Sequence, residues 1–352
     1  MVGYNEPYFY YERIGSGCNM RKVQMKGTDL FVSEICLGGG GFGSKLTEKE
    51  SFEVLDRYVE LGGNFIDTAK AYCGWIHGMD RISETVIGKW LKEKNHSSQI
   101  VVATKGAHYN FATPNISRVT KEDVCVDLDE SRKILGLDTI DFYWLHRDDE
   151  AKEIGEIIEF MEDLVSEGKI RYYGASNYSV ERLREAQCYA KENGKTGFSA
   201  VSNQWSLANK REEAVAEEKK TSALITTSYE QFKWHKESQM PLIPYSSTAE
   251  GFFCKMYQEG RRINGDSIRK TDSTGSVYWT DRNLMIYYDL LKLHKEYGFS
   301  FISMSIAYLL NQSFQVLPIC GVSHIEQLDD IVQGTKVNLP EDIIEKWKAL
   351  AW

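Results

Sequence analysis

Short runs rich in β-branched and aromatic residues alternate with amphipathic helical patterns along almost the whole chain, and that alternation leaves few folds open. VSEICLG is followed by TEKESFEVLDRYVELGG, NFIDT by SETVIGKWLKEKN, QIVVATKG by VTKEDVCVDLDESRKILG, and TIDFYWLH by EIGEIIEFMEDLVSEG. IRYYGAS then leads into VERLREAQCYAKENG, and FSAVSNQ into a polar segment with a helix near SYEQFKWHKES. PLIPYSS leads into a long loop and NLMIYYDLLKLHKEYG, and QVLPICGV into IEQLDDIVQG. Eight βα units with no linker between them predict an α/β fold of one kind, a closed (β/α)8 TIM barrel, whose core needs ~250 residues. Residues 1–352 read as a single domain of this type.

The surplus length is locatable. RKVQMKGTDLFVSEI predicts an N-terminal β-hairpin turning at Lys26-Gly27-Thr28-Asp29, and LPEDIIEKWKAL a final helix begun at Pro340. Residues 106–120 and 254–281 read as long loops on the strand C-terminal face, where long loops are often functional. Residues 1–20 form an aromatic-rich arm (Tyr4, Tyr8, Phe9, Tyr10, Tyr11), a packing or contact feature without chemistry of its own.

The 42 basic and 51 acidic residues give a net charge of −9, with the basic ones scattered, which argues against nucleic acid or an anionic membrane as partner. Seven cysteines stand singly with no CxxC pair, a pattern of free thiols rather than a disulfide framework or zinc site. The acidic, aromatic start is unlike a secretory signal, and no apolar run approaches ~18 residues, so a cytoplasmic protein is expected.

Four polar residues stand where buried strands give way to loops. Asp67 closes NFID, Tyr72 follows five residues later, Lys105 closes IVVATK and His146 closes IDFYWLH. In parallel α/β folds that edge is where ligands bind. Singly, such residues are more often caps, satisfied core groups or solvated side chains; together, at three successive strand ends, they indicate catalysis. Phe142 and Trp144 alternate with His146 and read as barrel core. A rival is LGGGGFG, in which Gly38, Gly40 and Gly43 satisfy GxGxxG after a strand. Four consecutive glycines satisfy that pattern almost automatically. The helical period begins only near Thr47, so no helix N-terminus is held at the last glycine, and a dinucleotide-binding Rossmann unit would leave Lys105 and His146 without a role.

KGTDLFVSEICLGGGGFG, NFIDTAKAY, SETVIGKWL, VVATKG, DFYWLH, GKIRYYGASNYS, VSNQWSL, IPYSSTAEGFF and PICGVSHIEQLDDI, in that order, resemble the aldo-keto reductase family over nearly the whole chain. WIHGMDRISETVIGKWL further resembles its branch with a long loop after the second strand. The resemblance implies a (β/α)8 barrel and an oxidoreductase, reversibly reducing an aldehyde or ketone with a nicotinamide cofactor and no metal. By that resemblance Tyr72 is the general acid/base. A free phenol has a pKa of ~10, so it needs a cationic neighbour; Lys105 would lower that value, Asp67 would pair with Lys105, and His146 would polarise the carbonyl.

The resemblance also implies cofactor contacts from Gly39, Gly40 and Asp67, from Ser176, Asn177 and Gln204 on the nicotinamide carboxamide, and from Tyr245 stacked under its ring. Ser246, Ser247 and Gly251 would meet the pyrophosphate, and Gly321, Ser323 and Gln327 the adenosine end. The chain departs from the family where His324 stands in place of the usual Arg and Ile331 in place of a common Asn. An imidazole lacks the two-pronged donor face that grips a phosphate, so NADP(H) is favoured with NAD(H) left open. Trp75, Tyr72, His108, His146 and Arg147 are candidate substrate contacts, with Tyr109, Phe111, Asp148, Asp149, Tyr278 and Trp279 nearby. This mixture of rings with Arg and Asp suits a hydroxylated, sugar-derived carbonyl better than a steroid-like one. A second reading of the same fold is a cofactor-sensing subunit that binds a partner and turns over slowly.

Overall fold

The computed structural model describes residues 19–260 and 273–352. Residues 1–18 of the aromatic arm, with all its aromatics and Cys18, lie outside them, and Met20 is buried in the core. The chain begins with the expected hairpin, β1 (Lys22–Gln24) antiparallel to β2 (Phe31–Ser33), turning through Gly27 at φ 79°. Seven parallel strands follow: β3 (Cys36–Gly38), β4 (Phe65–Asp67), β5 (Val101–Gly106), β6 (Ile140–Leu145), β7 (Ile170–Ser176), β8 (Val201–Ser202) and β9 (Ile319–Cys320). They hydrogen-bond in the order β8-β7-β6-β5-β4-β3-β9.

The remaining barrel strand, expected at PLIPYSS, is present as single bridges. Leu242 bridges Val201 on one side and Val316 on the other, which closes the ring. Pro241 and Pro244 explain why no regular ladder forms. Neither has an N–H to give, but the Pro241 carbonyl accepts from Val201 and the Pro244 carbonyl from Ile319, at 3.0 and 2.9 Å. The fold is a (β/α)8 barrel. Its interior is filled by Cys36, Phe65, Ala103, Phe142, Trp144, Ala200, Ile243, Leu317 and Ile319, and the hairpin's Met25, Leu30 and Val32 plug the bottom.

The outer helices are α1 (Glu48–Glu60), α2 (Ile82–Lys94), α3 (Lys121–Leu135), α4 (Ile154–Ser166), α5 (Val180–Glu192), α6 (Glu212–Ser222) and α7 (Tyr229–Ser238). After them come α8 (Phe252–Gly260), α9 (Ser273–Tyr278), α10 (Asp281–Tyr297), α11 (Phe301–Leu310), α12 (Glu326–Gln333) and α13 (Glu341–Ala351). Thr47 opens α1 with a full capping box to Glu50, and Thr120, Ser179, Thr280 and Ser300 cap their helices by side-chain hydrogen bonds.

Three helical stretches differ from the sequence expectation. The polar segment before α7 contains α6, which buries none of its residues and so shows no apolar stripe. FISMSIAYLL forms α11, buried on nearly all sides against α8, α10 and α12; with no polar face it has no amphipathic period to read. The 254–281 stretch is not one loop. α8 runs into it and α9 occupies its far end, anchored by Tyr278, which is 1% exposed and packs on Phe252. Tyr278 therefore belongs to the core and not to a substrate loop. Residues 107–120 are a loop, as expected. Among the described residues, no helix is long and apolar enough to cross a membrane.

α2 and α3 pack closely at Gly88, where an added Cβ would lie 2.1 Å from the Ile134 carbonyl oxygen. Alanine favours a helix by about 1 kcal/mol over glycine, whereas overpacking costs about 1–3 kcal/mol and here meets backbone. Gly88→Ala is expected to lower the urea midpoint of unfolding; a rise would show that the two helices separate freely.

Candidate active site at the barrel mouth

Side chains on a strand alternate faces, and the barrel uses that period to bring the polar residues together. Phe65, Ala103, Phe142 and Trp144 line the interior, so Asp67, Lys105 and His146, two residues past Phe65, Ala103 and Trp144, continue the inward face up to the mouth. Ile243 places Tyr245 in the same way. Tyr72 comes from the turn after β4, where its N–H donates to the Ala69 carbonyl at 3.2 Å and Cys73 adopts φ 64°.

The four residues converge. Lys105 Nζ donates to both Asp67 carboxylate oxygens at 2.5 Å, to the Thr68 carbonyl at 2.9 Å and to the Tyr72 hydroxyl oxygen at 3.0 Å. The Tyr72 hydroxyl in turn donates to Asp67 Oδ2 at 2.8 Å. Asp67 is fully buried and Lys105 nearly so, while Tyr72 is half-buried. Burial pushes the Asp67 pKa up and the Lys105 pKa down, and each is opposed by the other's charge.

Tyr72 departs from expectation in one respect. Burial, followed by the Asp67 carboxylate, pushes its phenol well above the ordinary range. The expected lowering by Lys105 is overridden first by burial and then by the Asp67 carboxylate, which accepts a hydrogen bond from the phenol. His146 donates its backbone N–H to the Gly106 carbonyl at 2.9 Å and stands edge-on to Tyr72 with ring centroids 6.1 Å apart. Burial, then Arg147, holds its imidazole well below the usual histidine range, and its Nδ1 is buried with no hydrogen-bond partner among the described residues. A neutral, unsaturated imidazole is suited to donating one hydrogen bond to a substrate oxygen.

Rings line the approach. His108 lies 4.8 Å from His146 and 5.1 Å from Phe111, and Trp75 meets Phe111 edge-on at 6.2 Å. Tyr109 contacts His108 at 4.2 Å and lies beneath the Arg147 guanidinium at 5.6 Å. Trp75 is 61% exposed, an aromatic edge open to solvent. Behind this wall one buried carboxylate holds two loops. Asp127 of α3 accepts from Lys70 in the Tyr72 loop, from Arg118 at 2.9 Å and from the Ala107 N–H at 3.1 Å in the next loop. These three residues escaped the sequence reading, although the signal was present: Asp127 falls on the buried stripe of α3 with Val124, Leu128, Ser131 and Leu135.

Of the expected cofactor residues, Ser176, Asn177, Gln204 and Tyr245 stand at or just past the ends of β7, β8 and the interrupted strand, whereas Gly39, Gly40 and Asp67 stand at or just past the ends of β3 and β4. Ser176 ends β7 and its hydroxyl donates to the Ser202 carbonyl at 2.8 Å. Asn177, at φ 64°, gives its amide N–H to the His146 carbonyl at 3.2 Å, and its amide oxygen accepts from Tyr245 OH at 2.7 Å and from the Ile225 N–H at 3.0 Å. It is thus a brace of the rim as it stands. Gln204 is buried and its backbone bridges Thr226 and Tyr245. After Tyr245 the backbone takes positive φ at Ser246, Ala249, Glu250 and Gly251, and the Ser247 hydroxyl closes on the Pro244 carbonyl at 2.8 Å. Beyond β9, Gln327 Oε1 accepts the Ser323 N–H at 2.7 Å beside Gly321, and Ile331 is core.

The glycine-rich segment has a packing role. Gly39 hydrogen-bonds the Asp67 carbonyl at 2.7 Å, and an added Cβ would lie 2.8 Å from Ser83 Oγ. Gly43, at φ 75°, would press a Cβ to 2.5 Å from Ile82. Gly40 alone faces Tyr72, its Cβ direction ending 3.9 Å from that ring. Among the described residues no group of His, Cys, Asp and Glu could hold a metal.

Residues 34–351 match the model of the aldo/keto reductase family, and the chain belongs to that family. It is an oxidoreductase acting on alcohol and carbonyl groups. It is 28% identical to the putative aryl-alcohol dehydrogenase AAD14 of Saccharomyces cerevisiae, over 92% of this chain and 84% of that protein. The aryl-alcohol dehydrogenase [NADP(+)] of Phanerodontia chrysosporium is 26% identical over 90% of this chain and 82% of its own. Norsolorinic acid reductase B of Dothistroma septosporum is 26% identical over 90% and 78%.

Burial, then Arg147, pushes His108 down to about 4. Its folded pKa lies below the unfolded ~6.5, so the unfolded chain binds that proton first; this ring's stabilising contribution is present above ~6.5 and is lost as pH falls toward 4. NMR titration of the protein without cofactor is expected to place the His108 midpoint near 4. A midpoint above 6 would show a solvated ring.

Proposed function

We propose that the protein reversibly reduces an aryl aldehyde or ketone to its alcohol, using NADP(H) by preference and Tyr72 as the proton donor. The observation that carries this reading is the Tyr72 hydroxyl, held between Lys105 Nζ at 3.0 Å and Asp67 Oδ2 at 2.8 Å at the inward mouth and faced by a wall of rings. A bound nicotinamide supplies the hydride. Tyr72 supplies the proton: its hydroxyl turns from Asp67 to the oxygen that becomes alkoxide, and Lys105 stabilises the phenolate left behind. His146 aims the carbonyl by one hydrogen bond. The buried Asp67 holds Lys105 in place and neutralises it.

The chain has the donors and surfaces that a nicotinamide dinucleotide requires. Ser202 Oγ and Thr227 Oγ1 are buried without partners among the described residues, beside Ser176 and Gln204. The Tyr245 ring is pinned by Asn177 as a platform. The run of positive φ from Ser246 to Gly251 forms a turn in which Ser247 and Thr248 leave their N–H groups free of protein acceptors among the described residues, a cradle for pyrophosphate oxygens. The name of the Phanerodontia chrysosporium relative supports NADP(H).

Trp75, His108, Tyr109 and Phe111 suit a flat ring better than an open-chain sugar, and the aryl-alcohol dehydrogenase names of the relatives point the same way. Steady-state oxidation of NADPH and NADH over benzaldehydes, aldoses and hydrophobic ketones tests this. Brisk turnover confined to aryl carbonyls is expected, whereas tight cofactor binding with negligible turnover would support a cofactor-sensing role instead. Tyr72→Phe is expected to lower kcat about 10²–10⁴-fold, as loss of a general acid does, with cofactor affinity by fluorescence titration retained. Unchanged turnover would remove Tyr72 from the chemistry.

A further inference from the structure

Among the described residues, the buried and part-buried arginines beside this barrel mouth are matched to carboxylates with one exception. Arg81 pairs with Glu84 and Glu130 at 2.7 and 2.6 Å, Arg118 with Asp127 and Asp123 at 2.9 and 3.0 Å, and Arg182 with Asp148 at 3.0 Å. Arg147 is 8% exposed and forms no ion pair among the described residues. Its NH1 donates to the His146 carbonyl at 2.8 Å, the Tyr109 side chain is a further neutral partner of the guanidinium, and its Nε is buried without a partner among the described residues. The carboxylates next in sequence are engaged elsewhere: Asp148 grips Arg182, and Asp149 Oδ1 accepts the Ala151 N–H at 3.1 Å. Desolvating a cation with no counterion is costly, and a guanidinium does not escape by losing its proton. Such a group persists where something absent from the free protein completes it.

The position of Arg147 says what that is. It directly follows His146, and its guanidinium sits over the Tyr109 ring at 5.6 Å, so it borders the aromatic approach to the Tyr72 hydroxyl. The unpartnered Nε lies on the guanidinium edge that, together with NH2, binds a carboxylate with two parallel hydrogen bonds. We propose that the substrate is an aromatic carbonyl carrying a ring carboxylate, which Arg147 receives while the carbonyl lies between Tyr72 and His146. This rests on the carbonyl-reduction reading above and narrows its substrate class.

Carboxybenzaldehydes compared with their methyl esters provide the test, because the pair differs in charge and little in shape. For at least one ring isomer, wild-type kcat/KM is expected to favour the acid over the ester at least tenfold, chiefly through KM. Arg147→Met is expected to bring that ratio close to one, and Arg147→Lys, which keeps a charge but loses the fork, to hold it between. Equal handling of acid and ester by the wild type overturns the proposal, as does a ratio unchanged in Arg147→Met. Reduction of the esters separately reads the carbonyl-reductase assignment. If no aldehyde is turned over, that assignment fails and benzoate decides the present one: titrated against the NADPH-loaded protein, it is expected to bind the wild type at least tenfold more tightly than Arg147→Met. Absence of benzoate binding overturns it.

Discussion

A lysine ammonium and an aspartate carboxylate removed from water on neighbouring strands impose the strongest constraint on this molecule. Asp67 and Lys105 cannot be buried apart, since either charge alone would be left without compensation. The β4–β5 register, with Asp67 opposite Ala103, brings Lys105 to the same inward rim, and the Thr68 carbonyl and Tyr72 hydroxyl complete its donors. Strand register, the turn that carries Tyr72 and the ionisation of the site are therefore one problem with one solution. A one-residue slip of β5 would send the ammonium into the helix layer and leave the carboxylate stranded.

The mouth is built along the strand order. β4, β5 and β6 carry Asp67, Lys105 and His146 to the rim, while β7, β8 and the proline-interrupted strand at 242–245 carry Ser176, Gln204 and Tyr245 and lead into a turn with positive φ. Asn177 joins the halves by contacting the His146 carbonyl on one side and Tyr245 on the other. The irregular strand has a local consequence: without a full ladder after Leu242, the backbone past Tyr245 is at liberty to turn through Ser246, Ala249, Glu250 and Gly251 at positive φ.

Much of this was legible in the sequence. All eight strands could be placed because buried parallel strands are apolar runs set between amphipathic helices, and Asp67, Lys105 and His146 could be placed on one rim because parity along a strand is fixed. What escaped had no local signature. α11 is apolar on every side, α6 buries nothing, and Tyr278 reads as a loop aromatic until the helix that carries it is seen. The direction of the Tyr72 pKa could not be read from composition, because it depends first on how deeply the phenol is buried and then on its hydrogen bond to the carboxylate. Lys70, Arg118 and Asp127 meet only once two loops and a helix are folded together.

Those last three residues have a consequence for how such a pocket can diversify. The Tyr72 loop and the 107–120 loop do not vary independently, because Lys70 and Arg118 share the buried carboxylate of Asp127, which also accepts the N–H of Ala107 in its left-handed conformation. Exchanging one loop for another of different charge leaves Asp127 under- or over-neutralised and releases the other loop as well. The recognition surface is therefore inherited as a linked pair of segments, and a transplant into a related barrel has to carry both loops and their common carboxylate.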